Sequence, residues 1–202
     1  GAGGSNESFA AQFAPARLMG ISRAATPKAT VDLCHRAWDA GVVLVEVPLT
    51  GAESIAALEA AVLAGRQRED VYVGAGTVVR PEQVDIVRRI GAQFTVAPGV
   101  HSAAIERSLE QGLPHLPGVA TSTDIAAALE HGYRWVKAFP AAQLGAAWIQ
   151  AQRAPFPDVR FVATGGIGLG NARDFLSGGC DAVALGSAFA DPTTIDAARA
   201  LI

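Results

Sequence analysis

The chain is short of the residues that build cross-links, metal centres and nucleic-acid surfaces. Its two cysteines, Cys34 and Cys180, stand far apart, with no CxxC and no Cys/His ligand spacing. A disulfide framework and a structural zinc site are therefore unsupported, and both thiols read as small core residues of a reducing compartment. The four histidines, His35, His101, His115 and His131, form no i, i+4 pair and have no acidic companion, so no metal is expected. No run of five or more Lys/Arg occurs and the net charge is −3, which argues against a nucleic-acid partner. An anionic small molecule stays compatible, because one site can be positive in an acidic protein. No apolar run approaches the roughly 18 residues of a membrane helix. Charged residues make up only 17% and hydrophobic ones 50%, which excludes a disordered chain or a long coiled coil.

What is present is one domain's worth of alternating segments. At 202 residues the chain stays below the roughly 250 at which single cores split. Residues 1–12 read as a tag remnant and N-terminal extension, not a signal peptide, and 13–202 as the domain, with the cytoplasm as its compartment. Apolar runs at Leu18–Ser22, Val43–Val47, Val71–Ala75, Phe94–Ala97, His115–Leu116, Trp135–Phe139, Arg160–Ala163 and Ala182–Leu185 predict strands. Ala-rich amphipathic segments between them predict helices. Thr26-Pro27, Arg80-Pro81 and Asp191-Pro192 put proline in a first helical turn. Gly41, Gly65, Gly91, Gly112 and Gly132 mark expected left-handed helix ends. Eight such units at roughly 20–25 residue spacing predict a parallel sheet with crossover helices, and eight strands close a (β/α)8 TIM barrel. The competing open, doubly wound sheet lacks the GxGxxG expected after its first strand.

In such a barrel chemistry sits at the C-terminal ends of the strands. Two charges interrupt otherwise apolar strands: Glu46 in Val43–Pro48 and Lys137 in Trp135–Pro140. Period-two alternation sends Val45, Val47, Val136 and Ala138 toward the helices, leaving Glu46 and Lys137 facing the interior. A buried unpaired charge costs several kcal/mol, so each needs a partner or a task. A lysine in a dry pocket has a lowered pKa and can attack a ketone to form a Schiff base, while a carboxylate moves the protons. The alternative is an inward Glu–Lys salt bridge without chemistry. Gly165-Gly166 and Gly186-Ser187, after the last two strands, lie where barrels bind phosphate on exposed N–H groups, and Ser187 adds a hydroxyl. Thr77, after Gly74-Ala75-Gly76, can hold a carboxylate, and Arg23 is a candidate anion partner. Trp135 and Trp148 are expected to pack helices, not nucleobases.

In order, Glu46 in Val-Glu-Val-Pro-Leu, Gly74-Ala75-Gly76-Thr77-Val78, Ala97-Pro98-Gly99, Leu116-Pro117-Gly118-Val119, Val136-Lys137-Ala138-Phe139-Pro140-Ala141 and Ala163-Thr164-Gly165-Gly166-Ile167 resemble the 2-keto-3-deoxy-6-phosphogluconate (KDPG)/4-hydroxy-2-oxoglutarate aldolase family. The resemblance runs from about Leu18 to the last residues, and six short motifs in register carry it. It implies a class I aldolase, without metal or cofactor and homotrimeric, that cleaves KDPG to pyruvate and glyceraldehyde 3-phosphate. It implies the Schiff base on Lys137 and acid/base work on Glu46. Thr77 and Pro98 would line the pyruvyl end and Thr164 the middle of the substrate, with Gly165, Gly166, Gly186 and Ser187 around the phosphate. Some members carry an Arg where this chain has Thr50; others carry one after the first strand, matching Arg23, to which the carboxylate role is transferred. Pro48-Leu49 and Arg23 resemble phosphogalactonate-specific relatives, whereas Thr164 resembles the phosphogluconate branch, so the C4 configuration of the substrate stays open. An isomerase or synthase barrel would need no Lys137. A non-catalytic phosphometabolite-binding barrel would tolerate its loss.

Overall fold

The computed structural model describes residues 16–201. The segment assigned to a tag remnant and extension, 1–12, lies outside the described residues. Strands β1 (Leu18–Ile21), β2 (Leu44–Pro48), β3 (Tyr72–Gly76), β4 (Phe94–Val96), β5 (His115–Leu116), β6 (Gly118–Val119), β7 (Trp135–Ala138), β8 (Arg160–Ala163) and β9 (Ala182–Leu185) form one sheet. Its order is β5-β4-β3-β2-β1-β9-β8-β7-β6, and every pairing is parallel. The two ends of that order, β5 and β6, are consecutive in the chain with only Pro117 between them, so the sheet returns on itself as the expected barrel.

Nine strands appear instead of eight because the fifth stave is split. Proline has no N–H to give a ladder. Before Pro117 the chain pairs back to β4, Ala97 N donating to Leu116 O at 3.0 Å. After it, β6 pairs forward to β7, and the Pro117 carbonyl accepts from Lys137 N at 2.8 Å.

The crossover helices are α1 (Pro27–Asp39), α2 (Ala52–Gly65), α3 (Pro81–Ile90), α4 (Ser102–Glu110), α5 (Ser122–Glu130), α6 (Ala141–Leu144), α7 (Ala146–Arg153), α8 (Ala172–Ser177) and α9 (Pro192–Ala198). The three expected prolines do sit in first turns, and Thr26 caps α1 by accepting from Ala29 N at 3.1 Å. Four of the five expected glycines are left-handed, but Gly65 is not. It closes α2 as its last helical residue, with Arg66 after it still right-handed. Packing does not demand glycine there either, since a Cβ would stand 3.4 Å from Val73 and 3.6 Å from Trp38, at ordinary contact distance. The short α6 had no sequence signal.

Alternation divides the strands into two apolar layers. Val45, Val47, Val73, Ala75, Val136, Ala138, Phe161 and Ala163 pack against the helices. Met19, Ile21, Leu44, Phe94, Val96, Leu116, Trp135, Val162, Ala182 and Ala184 fill the barrel interior. Trp135 therefore plugs the inside of the barrel and does not pack a helix. Trp148 of α7 does pack outward, edge-on to Phe161 at 6.1 Å. Thr95 and His115 alternate with interior residues and so lie in the outer layer, where Thr95 Oγ1 is 2.7 Å from His115 Nδ1. His115 is fully buried, its Nε2 has no hydrogen-bond partner, and burial pushes its pKa down to about 3.

Candidate active site

The bulky interior residues of the barrel give way, at the C-terminal strand ends, to a cavity of about 330 Å³. All ten residues singled out from the sequence line it: Arg23, Glu46, Thr77, Pro98, Lys137, Thr164, Gly165, Gly166, Gly186 and Ser187. Glu46 from β2 and Lys137 from β7 are 2% and 7% exposed, so both charges are held out of water. Among the described residues no ion pair joins them. An amine and a carboxylate thus face one cavity with space between them, which an inward salt bridge would have closed.

Burial is the main perturbation on both groups. It pushes the Glu46 carboxyl up, opposed by the charges of Lys137 and Arg23. It pushes the Lys137 ammonium down, opposed by Glu46 and assisted by Arg23. A raised acid and a lowered base in one site suit proton exchange between a side chain and a bound molecule. Lys137 Nζ also lies 4.6 Å from the centroid of the Phe139 ring, whose face favours a cation at that nitrogen.

The position of the Glu46 carboxyl depends on a missing side chain. A Cβ on Gly76 would stand 2.2 Å from Glu46 Cδ and 2.2 Å from its Oε2. The next residue, Thr77, has φ +56°, one of two non-glycine residues with positive φ among those described, the other being Asp70. For a β-branched residue that conformation costs about 1–3 kcal/mol and persists only where its surroundings impose it.

Across the cavity Gly165 and Gly166 have φ +99° and +70°, backbone that a side chain would strain. Their N–H groups, with those of Gly186 and Ser187, meet no acceptor among the described residues. Asn171 fixes the turn, donating from Nδ2 to Gly166 O and accepting from Gly168 N, both at 2.9 Å. Arg23 leans over Gly186, its Nη2 3.3 Å from where a Cβ would be. Four free donors and one guanidinium make this end of the cavity suited to an anion.

Ile21, Pro48, Phe139 and Ile167 also line the cavity and were not singled out from the sequence. Phe139 had a usable signal, since it stands two positions after Lys137 and so on the same face. Among the described residues no three of His, Cys, Asp and Glu cluster as metal ligands, and no helix is long and apolar enough to cross a membrane.

Known proteins resemble this chain in sequence and in fold. A family model described as KDPG and KHG aldolase matches residues 10–200. The 2-dehydro-3-deoxy-6-phosphogalactonate aldolase of Escherichia coli K12 is 36% identical over 171 residues, covering 84% of this chain and 82% of the relative. The 2-dehydro-3-deoxy-phosphogluconate aldolase of Pseudomonas aeruginosa is 37% identical over 138 residues, covering 68% and 61%. A native KDPGal structure superposes with a TM-score of 0.82 at 32% identity, over 91% of this chain and 94% of that one. A KDPG aldolase of Legionella pneumophila, with pyruvate captured at low pH as a covalent carbinolamine intermediate, has a TM-score of 0.82 at 28% identity, over 95% and 94%.

Proposed function

The chain belongs to the KDPG and KHG aldolase family, and on that premise we propose that it is a class I aldolase cleaving KDPG to pyruvate and glyceraldehyde 3-phosphate. The observation that carries this reading is the buried pair of Glu46 and Lys137 facing one cavity without bridging.

The neutral amine of Lys137 attacks the C2 ketone, and loss of water leaves an iminium. Glu46 supplies the proton for that departing hydroxide and then takes the C4 hydroxyl proton. As the C3–C4 bond breaks, its electrons flow into the iminium and leave an enamine, while C4 departs as the aldehyde of glyceraldehyde 3-phosphate. Protonation at C3 and hydrolysis release pyruvate and restore the amine. Phe139 beneath Nζ favours the cationic iminium.

Thr77 and Pro98 hold the pyruvyl end. Thr164, whose side chain is buried at the cavity wall, faces the middle of the substrate, and the free N–H groups of Gly165, Gly166, Gly186 and Ser187 take the phosphate. The resemblance gives Arg23 the carboxylate, in place of an Arg at Thr50. Its place over Gly186 supports a second reading, in which its charge serves the phosphate. We take the protein to work as a cytoplasmic homotrimer, with Cys34 and Cys180 kept as buried free thiols.

Borohydride reduction with pyruvate present, followed by intact mass, tests the chemistry. A pyruvate-sized adduct on Lys137 is the expected result, and its absence would leave a phosphate-binding barrel of another kind. Rates on KDPG, on its C4 epimer and on 4-hydroxy-2-oxoglutarate then separate the proposed substrate from the two alternatives.

A further inference from the structure

Thr77 poses a local problem. A β-branched residue does not adopt φ +56° of its own accord, yet here it does so at the cavity wall, directly after the glycine that accommodates the Glu46 carboxyl. The loop that imposes this conformation is held by one side chain outside the cavity. Gln83, in the first turn of α3, accepts from Val79 N at 2.8 Å and from Arg80 N at 3.0 Å through Oε1. Its Nε2 donates to the carbonyl of Thr77 at 3.3 Å. Val78 N, donating to Val96 O at 3.0 Å, ties the same loop to β4. The amide of Gln83 thus grips the peptide on the far side of Thr77 and the two N–H groups after it, and does not itself line the cavity.

We propose that Gln83 is a positioning residue: it fixes the left-handed turn at Thr77 and thereby sets the hydroxyl that receives the keto-acid end of the substrate. This rests on the aldolase reading above. The two halves of the amide have separable duties. The oxygen caps α3 and could be supplied by any Glu or Gln at that position, as in ordinary capping boxes. The nitrogen alone reaches the Thr77 carbonyl, and only an amide offers both.

Gln83→Glu separates them. It keeps the acceptor for Val79 and Arg80 and puts an oxygen where Thr77 needs a donor. The expected result is an unchanged melting temperature, full adduct formation on Lys137 at saturating pyruvate, and KM for the keto acid raised about tenfold, the scale of one lost hydrogen-bonded contact. kcat should stay within about threefold, since the Lys137 amine is untouched. Gln83→Ala should lose melting temperature as well. A cycle with Thr77→Gly, which removes both the hydroxyl and the strain, completes the test. If Gln83 acts through Thr77, adding Gln83→Glu to Thr77→Gly raises KM no further.

Wild-type KM in Gln83→Glu would overturn the proposal, as would KM effects that multiply in the double variant. A Gln83→Glu protein whose saturating adduct yield falls with its melting temperature would make the residue merely structural. Absence of any pyruvate adduct in the wild-type protein would instead remove the aldolase reading, and this proposal with it.

Discussion

Gly76→Ala would disable the site without changing any residue that touches the substrate chemically. The added Cβ would lie 2.2 Å from Glu46 Cδ, about 1.2 Å inside the 3.4 Å at which ordinary contact begins. β3 is hydrogen-bonded on both sides, to β2 and β4, so the strand yields less readily than the side chain. The carboxyl therefore has to move by about an ångström, and displacement of that size costs on the order of 10²-fold in rate. Overpacking of this kind also lowers stability by about 1–3 kcal/mol. Gly51→Ala is the matched control: its backbone is extended, with φ 167°, and a Cβ there meets nothing within 4 Å. Turnover would be followed by coupling pyruvate release to its reduction, with melting temperatures recorded in parallel. The expected outcome is a folded Gly76→Ala protein slowed about a hundredfold beside a Gly51→Ala protein close to wild type. A stable Gly76→Ala protein with turnover within threefold of wild type would refute the claim that the position of Glu46 matters.

Lys137→Ala should abolish both cleavage and the pyruvate adduct; Lys28, the only other lysine, is exposed and paired with Asp32, and an adduct at full yield in the variant would relocate the nucleophile there. Glu46→Gln keeps the volume and should slow turnover by roughly 10²- to 10⁴-fold, whereas near-normal turnover in a stable protein would sink its role as proton shuttle. Arg23→Gln should raise KM for the phosphorylated substrate far more than for its dephosphorylated analogue if the guanidinium serves the phosphate, and raise both alike if it serves the carboxylate. Because folded His115 stays neutral down to about pH 3 while the unfolded chain protonates it near 6.5, stability should rise with pH across that window and fall as acid is added. The slope is about 1.4 kcal/mol per pH unit, near 5 kcal/mol across the window. Urea unfolding of wild type and His115→Gln between pH 4 and 7 should give a shallower pH slope for the variant, and equal slopes would disprove the assignment.

The elements that sequence made legible are those whose signal is periodic or chemical. Glu46 and Lys137 could be pointed inward because each interrupts an apolar run whose neighbours must face helices, and a strand has only two faces. The cavity residues followed because a barrel gathers all its strand ends at one mouth. β6 escaped notice because two residues after a proline have no period to detect. Trp135 was misassigned because its bulk was weighed alone, although the alternation that points Lys137 inward also sends Trp135, two positions before it, into the barrel. Gly65 looked like a left-handed stop, but it is the last residue of α2 and Arg66 after it stays right-handed. The left-handed residue of the 74–77 segment is Thr77, although glycines beside it would bear that conformation more cheaply. What holds it there is a hydrogen-bond network from Gln83, and nothing in residue type announces such a bond. Only Arg80-Pro81 marked the start of α3, and the amide of Gln83 two residues further on carried no signal of its own.

The pairing of β1 with both β2 and β9 has a consequence for how the protein is made. Leu18 sits opposite Val183, so β1 keeps one bare edge until β9, far later in the sequence, has emerged. Synthesis at about 5–20 residues per second leaves that edge waiting on the order of ten seconds or more. Local strand-helix units can condense meanwhile, but Met19 and Ala184, which share the barrel interior, cannot meet before the last stave arrives. A nascent chain stalled before residue 182 would present the edge of β1 to any strand nearby, including that of a neighbouring copy on the same message.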